Sequence, residues 1–218
     1  MSGSPVARVE HCEGWFLVIT DAAVFRSRNL VIATGGLSYP STGSSGDGYR
    51  FAEMLGHCIV KPKPALTPVS VKNYNMADLS GISLSDTEIH LYHKGKKTAT
   101  HRGDIVFTLT GLSGPGIIDF SRYIEPGDLL KLNFANENSF SFNDRFIEDA
   151  ASSGKTTLQT WLRPLSIPRN LLRRLLQKAG IEPDMPMAAV NKQSRIALVE
   201  CMCECPFEVE KTGGFKTA

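Results

Sequence analysis

The segment from Asn29 to His57 constrains the fold more than any other part of this 218-residue chain. Leu30 to Ala33 is a short apolar run with β-branched Val31 and Ile32 at its centre, which is typical of a strand in the middle of a covered parallel sheet. A turn rich in glycine and serine follows, in which the main chain is free to adopt positive φ angles and to approach a ligand closely. Asp47 is predicted to cap a helix from Gly48 to Leu55. This order of elements is typical of a nucleotide site, although plain connecting loops also have it.

The glycines of this turn do not have the spacing of a primary dinucleotide site. They stand at positions 35, 36, 43, 46 and 48, and no three of them form G-x-G-x-x-G after a strand. The turn is therefore predicted to make a second contact to a cofactor whose pyrophosphate is held elsewhere.

Two motifs resemble those of the BaiN/YhiN-type flavoproteins, a family also described as NAD(P)/FAD-dependent or aminoacetone-oxidase-like. Ala33 to Tyr49 reads A-T-G-G-x-S-Y-P-x-T-G-S-x-G-D-G-Y, and its start resembles the second flavin-contact motif of two-dinucleotide-binding-fold flavoproteins. Gly103 to Pro115 resembles that family's G-E-x-x-F-T-H-x-G-x-S-G-P. The family's histidine position is Leu109 here, so a proton-transfer role of that imidazole cannot be carried over.

The resemblance implies an FAD-dependent, NAD(P)H-linked oxidoreductase as the parent protein, with the flavin supplying the electron chemistry. It implies FAD contacts from the following residues: Ala33, Thr34, Gly35, Gly36, Ser38, Tyr39, Pro40, Thr42, Gly43, Asp47 and Gly48. Catalytic residues are not identified, and no metal ligand is predicted.

Family members also carry an N-terminal G-x-G-x-x-G segment and a C-terminal FAD-binding segment, neither of which is found in this sequence. We therefore expect an interior region that binds little or no FAD by itself and is inactive when isolated. Its partners would be the missing FAD-domain segments and an unidentified small-molecule substrate. Whether the chain alone is an enzyme stays open.

The expected fold class is α+β. It combines a fragment of a two-dinucleotide-binding-fold FAD domain with an insert made of a β-barrel and a small helical subdomain. Prolines at positions 62, 64 and 68 suggest a crossing between two units. The predicted domains are residues 1–62 (partial FAD domain), 63–135 with 205–218 (barrel) and 136–204 (helical). Short, regularly spaced strands favour a small barrel or a sandwich, and the resemblance implies a Greek-key barrel.

Composition places the chain among ordinary globular proteins. The formal charge of +2 gives no general attraction to nucleic acid or to anionic membranes. There is no apolar run long enough to span a bilayer and no signal peptide, so we expect a cytoplasmic protein without a membrane partner. The five cysteines are an odd number without the dense framework of a secreted domain, which favours reduced thiols.

Three features of the C-terminal half invite functional interpretations. A basic stripe on one predicted helix comprises Arg169, Arg173, Arg174 and Lys178. Acidic residues follow closely, so a solvated face is favoured over a nucleic-acid contact. Ser153 to Thr157 resembles part of a P-loop, but the first glycine of that motif is replaced by Asp149. Cys201, Cys203 and Cys205 lie too close together for a common zinc motif and are predicted to be buried thiols.

A second class of function therefore remains beside the flavoprotein interpretation. The chain would then be a stand-alone binding module whose helical part contacts a protein or a nucleic acid. Titrations with flavin and with a nucleic-acid duplex at two salt concentrations distinguish the two classes, because phosphate binding weakens steeply with salt.

Overall fold

The computed structural model describes residues 3–218. It contains two compact units, the first formed by the chain up to Pro64 together with Gly214–Ala218 and the second by Ala65–Gly213. The α+β class expected from the sequence is confirmed. The domain boundaries expected from the sequence stay a prediction.

The first unit contains a small antiparallel sheet and one helix. The sheet has the order β1 (Val6–Cys12), β2 (Trp15–Thr20), β3 (Val24–Ser27), and the helix is α1 (Asp47–Met54). Glu13 and Gly14 form a two-residue hairpin turn with φ angles of 50° and 77°, the positive pair of a type I′ turn. The third strand was not predicted. It forms because the Thr20 hydroxyl accepts a hydrogen bond from Ala23 N at 3.0 Å and so closes the turn between β2 and β3.

The strand predicted at Leu30–Ala33 is wrong, because this segment has no regular secondary structure. An apolar run becomes a strand only when a neighbouring strand pairs with its main chain. Within the described residues no strand pairs with this segment, and Val31 is 85% exposed. The sequence pattern of a buried strand is thus present without the sheet.

The second unit is built on a closed antiparallel barrel. Its strands are β4 (Val69–Val71), β5 (Ser83–His93), β6 (Lys96–Phe107), β7 (Gly111–Ser113), β8 (Leu129–Asn133) and β9 (Cys205–Thr212). They close in the order β4-β7-β6-β5-β8-β9. β5, β6 and β7 are consecutive neighbours and β8 returns beside β5, which is a Greek-key arrangement. Closure leaves no strand edge unpaired.

The barrel interior is filled by alternate residues of its strands, as the two-residue period of a strand requires. Ile89 and Leu91 on β5 face Leu132 and Leu130 across the β5–β8 pair, and all four are at most 2% exposed. The long β5–β6 hairpin turns at Lys94 and Gly95, both with positive φ, as the sequence predicts.

Helices between β8 and β9 complete the second unit. They are α3 (Ser139–Ser153), α4 (Leu158–Leu162), α5 (Arg169–Lys178) and α6 (Lys192–Cys203), with a short α2 (Pro115–Ile118) between β7 and β8. The α6 helix packs on α3, on α5 and on strands β8 and β9, so barrel and helices share one apolar core. No helix within residues 3–218 combines the length and apolarity needed to cross a membrane.

Two details of this region differ from what the local sequence predicts. Met187 to Cys201 fits one amphipathic helix, but Met187–Ala189 forms a separate 3-10 turn and Asn191 caps a new helix. Thr212-Gly213-Gly214 between two short apolar segments predicts a hairpin turn, which the structure does not form. Residues after Gly213 leave the barrel, and Phe215 O instead accepts a hydrogen bond from Tyr39 N at 2.9 Å.

Replacing Asn138 by alanine should destabilise the second unit by about 1 kcal/mol. Its side-chain oxygen accepts the Ser141 N–H at 2.9 Å and satisfies a main-chain donor at the start of α3. Urea unfolding measures the change. Asn143→Ala, inside the same helix, is the control and should cost at most about 0.5 kcal/mol. Equal losses in the two variants would contradict the capping role.

Candidate cofactor-contact segment

The segment from Leu30 to Gly36 presents an open main chain. Within the described residues, its N–H and C=O groups make no main-chain hydrogen bond to another segment. Ala33, Thr34 and Gly35 are exposed, and Gly36 is half-buried. Main-chain groups that are neither paired nor buried are free to bond a ligand or a neighbouring strand.

The turn that follows is held by its own hydrogen bonds. Tyr39 has a φ angle of 52°, and residues Pro40–Thr42 form one turn of 3-10 helix. The Thr42 hydroxyl donates to Tyr39 O at 2.8 Å, and Gly43 N donates to Pro40 O at 3.1 Å. Gly43 has a φ angle of 97°, which only glycine adopts without strain. The exposed Tyr39 ring and Ser38 are thus presented by a defined turn.

The glycines of the turn have two different roles. A Cβ on Gly35 would lie 2.8 Å from Ser44 Oγ, one on Gly46 2.5 Å from Leu37 Cδ2, and one on Gly48 2.5 Å from Thr34 Oγ1. These nearest atoms are ends of side chains, so a Cβ at any of the three glycines would require a side chain to move. Gly35 and Gly46 also have positive φ angles of 74° and 84°, which favour glycine. A Cβ on Gly36 would meet only the Tyr49 hydroxyl, at an ordinary 3.6 Å. Gly36 therefore has no packing role of this kind within the turn.

Asp47 does not cap α1 as the sequence predicts, because Gly46 occupies the N-cap position and Asp47 is the first helical residue. Its carboxylate accepts hydrogen bonds from Ser45 Oγ at 2.6 Å and from Arg50 Nη2 at 3.0 Å. The Ser45 hydrogen bond, followed by that of Arg50, lowers the pKa of Asp47. Arg50 also donates to Ala7 O at 2.7 Å. A negative carboxylate at this helix start opposes phosphate binding there.

Ser44, Ser45 and Arg50 contribute to this segment but were not among the predicted site residues. Serine within a glycine-rich turn gives no distinct sequence signal, and Arg50 lies on the exposed side of an ordinary helix. A signal for Arg50 does exist, because an aspartate three residues before an arginine is a favourable helical pair.

The segment offers main-chain groups for a ligand contact but no pyrophosphate cradle. Thr34, Gly35 and Gly36 have exposed or half-buried main-chain groups, and Gly36 leaves room at its Cα. Asp47 at the start of α1 disfavours a phosphate. A flavin contact by these three residues, and by the other predicted residues, stays a prediction.

The second motif closes the barrel through close main-chain approaches. A Cβ on Gly111 would lie 2.2 Å from Val69 O, across the β4–β7 pair. A Cβ on Gly103 would lie 2.7 Å from Gly116 Cα, and one on Gly114 2.8 Å from Asp104 O. Gly111 thus lets β7 approach β4, and Gly103 and Gly114 let β6 approach the start of α2, without side chains between them. Their spacing in the sequence therefore reflects a structural requirement.

Ser113 two residues before Pro115 is a sequence pattern that predicts a serine cap at the start of α2. In the structure Gly114 is the N-cap residue instead, and it makes no side-chain cap. Leu109, which stands at the family's histidine position, is 70% exposed. It offers no group for proton transfer.

The three clustered cysteines are buried thiols, as predicted. Cys201, Cys203 and Cys205 are each at most 4% exposed. Burial raises the pKa of Cys203 and of Cys205 to about 12. Among the described residues no group of histidine, cysteine and acidic side chains is arranged to hold a metal ion.

Thiol labelling at pH 8 should therefore separate the cysteines into two classes. Cys12 and Cys58 are exposed and should react at ordinary rates. A thiol with a pKa of about 12 has about 1000-fold less thiolate than one near 9, so Cys203 and Cys205 should stay unmodified until the protein unfolds. Mass spectrometry after timed alkylation measures this. Rapid modification of Cys205 in the folded protein would contradict the packing of β9.

Comparison with known proteins identifies the family. The model of the HI0933-like protein barrel and H2TH domain matches residues 63–218. Proteins named ribosomal RNA dihydrouridine synthase, from Haemophilus influenzae and Escherichia coli, are each 28% identical to this chain over 99% of its length and 52% of theirs. A 3-dehydro-bile acid delta(4,6)-reductase from Clostridium scindens is 25% identical over 93% of this chain and 51% of its own.

The chain belongs to the HI0933-like barrel and H2TH domain family, which is the corresponding region of the BaiN/YhiN flavoproteins. The resemblance stated from the two motifs is thereby confirmed. The chain spans about half the length of the curated relatives it matches.

Proposed function

We propose that this chain is the middle region of an FAD-dependent oxidoreductase that saturates a carbon–carbon double bond in a ring. The names of the relatives support the reaction class, because a dihydrouridine synthase and a delta(4,6)-reductase both add hydrogen across ring double bonds. The observation that carries the flavin contact is the open main chain from Leu30 to Gly36 followed by a hydrogen-bonded turn.

The residues of this chain would position the cofactor. Thr34, Gly35 and Gly36 present main-chain N–H and C=O groups, and Gly36 permits close approach of a planar ring to the main chain. When bound, the cofactor in its reduced form, FADH2, would supply the hydride for one carbon of the double bond, and a proton would be added to the other carbon; NAD(P)H would then reduce the flavin again. The pyrophosphate would be held outside this segment, because Asp47 disfavours a phosphate at the start of α1.

A chimera tests this function. It places this chain in the matching half of the Escherichia coli relative, so that the remaining half supplies the other FAD-domain segments. The purified chimera should be yellow, with close to one FAD per chain, and the 218-residue chain alone should be colourless. If the 218-residue chain alone retains one FAD per chain, the segment from Leu30 to Gly36 is not merely a second contact to a cofactor that is held elsewhere. A well-folded but colourless chimera would contradict the function.

Gly36→Ala in the chimera should lower the flavin content by about tenfold, because a methyl group would separate the ring from the main chain. The new Cβ makes an ordinary contact inside the protein, so the melting temperature of the flavin-free form should not change. Gly214→Ala is the control, since its Cβ would meet no atom within 4 Å. If the flavin content of the Gly36→Ala chimera is unchanged, Gly36 does not contact the flavin.

A further inference from the structure

A groove crosses the helical part between α4 and α5. Two adjoining cavities of about 140 Å³ and about 390 Å³ form it and share Gln159, Arg169 and Leu172. The buried side chains of Leu162, Leu172 and Leu176 line it, while Arg163, Arg169 and Arg173 are exposed. The leucines thus lie beneath the groove, and the three guanidinium groups are exposed along it.

The basic stripe expected on α5 divides into two halves that differ in their partners. Arg174 donates to Asp78 Oδ1 at 2.9 Å and to Asn75 O at 2.7 Å. Lys178 Nζ lies 3.8 Å from Cys205 Sγ. These two residues therefore tie α5 to other parts of the second unit.

The arginines of the groove have no such role. Within residues 3–218, Arg163, Arg169 and Arg173 form no ion pair, whereas Arg102, Arg145 and Arg174 each do. Asp184 also lines the groove but is not within ion-pair distance of these arginines. The groove therefore carries three positive charges and one negative charge, and these charges are not paired with one another. This excess of positive charge attracts an anionic ligand.

We propose that this groove binds the sugar-phosphate backbone of RNA and positions an RNA substrate for the reductase. Arginine is suited to phosphate because its planar fork donates two parallel hydrogen bonds. Arg169 and Arg173 are four residues apart on α5, about one helical turn, and Arg163 extends the row along the groove.

RNA is favoured over an acidic protein because two relatives are named for a reaction on ribosomal RNA. This inference rests on the proposed function, since it supplies the substrate class for the same reaction. It departs from two expectations. One was drawn from the near-neutral net charge of the whole chain, and the other favoured a solvated face for the basic stripe because acidic residues follow α5. In the part of the chain that the structure describes, the arginines of the groove form no ion pair.

Fluorescence anisotropy of the 218-residue chain tests the proposal. The probe is a labelled, unstructured RNA of about 20 nucleotides, titrated at about 50 and about 200 mM salt. The triple variant Arg163→Gln, Arg169→Gln, Arg173→Gln should bind about tenfold more weakly at low salt. Its log–log salt slope should be smaller by about 2, because each contact to a single-stranded phosphate contributes about 0.7.

A variant with the same loss of charge is the control. Lys96→Gln, Lys97→Gln and Lys211→Gln change exposed lysines on the barrel strands β6 and β9 and should alter RNA binding by less than about threefold. All six residues are exposed, so both variants should keep the melting temperature of the parent chain. Equal losses in the two triple variants would show general charge attraction and overturn the groove assignment.

Two further results would also overturn it. One is the absence of RNA binding by the parent chain at low salt. The other is equal affinity for an acidic peptide of the same charge, abolished by the same arginine substitutions, which would identify a protein-docking groove. The flavin content of the chimera is a separate readout. The arginine substitutions should leave it unchanged, so loss of RNA binding with flavin retained contradicts the groove alone, whereas a colourless chimera contradicts the proposed function.

Discussion

Replacing Gly111 by alanine should destabilise the second unit by about 3 kcal/mol or more. The new Cβ would lie 2.2 Å from Val69 O and 3.0 Å from Ser70 Cα, and both are main-chain atoms of β4. Because no flexible side chain can move aside, the β4–β7 pair must separate for the methyl group to fit. This pair closes the barrel, so its loss affects the whole second unit. Urea unfolding followed by circular dichroism measures the change.

Gly81→Ala is the matched control in the same unit. Its Cβ would meet no atom within 4 Å, but its φ angle is 88°, so only backbone strain of about 1 kcal/mol is expected. If Gly111→Ala lowers the free energy of unfolding no more than Gly81→Ala does, the second motif does not close the barrel by main-chain contact. The presence of this motif in the family would then need a reason other than barrel closure.

Phe142→Ala should cost about 3 to 5 kcal/mol. Phe142 is fully buried, and its ring packs edge-on against Trp161 with centroids 5.3 Å apart. Trp161 is itself held by a hydrogen bond from its indole N–H to Asp149 Oδ2 at 2.7 Å. Removal of the Phe142 ring leaves a cavity between α3 and α4. Trp161 cannot move to fill it, because its hydrogen bond to Asp149 fixes the position of the indole. Chemical unfolding at 25 °C gives the difference in free energy.

Phe140→Ala on the same helix provides a close comparison. Phe140 is 84% exposed, so its removal should change stability by at most about 0.5 kcal/mol. A small loss from both substitutions would mean that α3 is not packed by Phe142 as described. A large loss from both would mean that Phe140 is also buried against another element.

Elements that are specified by local chemistry could be predicted from the sequence. The Lys94–Gly95 turn follows from the need for two consecutive positive φ angles. The bounds of α5 follow from Pro168 before it and Gly180 shortly after it. The strand β3 could not be predicted, because all four of its residues are exposed and give no alternating pattern.

Features that depend on distant residues could not be predicted in the same way. Leu30 to Ala33 has the composition of a strand, but a strand also requires a partner that the local sequence does not specify. Arg173 and Arg174 are adjacent in the sequence. Arg174 pairs with Asp78, which is 96 residues away, whereas Arg173 forms no ion pair with any residue from 3 to 218. Which arginine is available to a ligand is therefore decided by the tertiary structure.

Hydrogen exchange of the chimera with and without FAD tests the central claim most directly. The amides of Thr34 to Leu37 make no main-chain hydrogen bond within the described residues, so they should exchange quickly without the flavin. With FAD bound they should slow by about tenfold or more, while the amides of Gly103 to Gly116 should not change. Fast exchange of Thr34 to Leu37 in a chimera that has bound one FAD would contradict the flavin contact assigned to this segment.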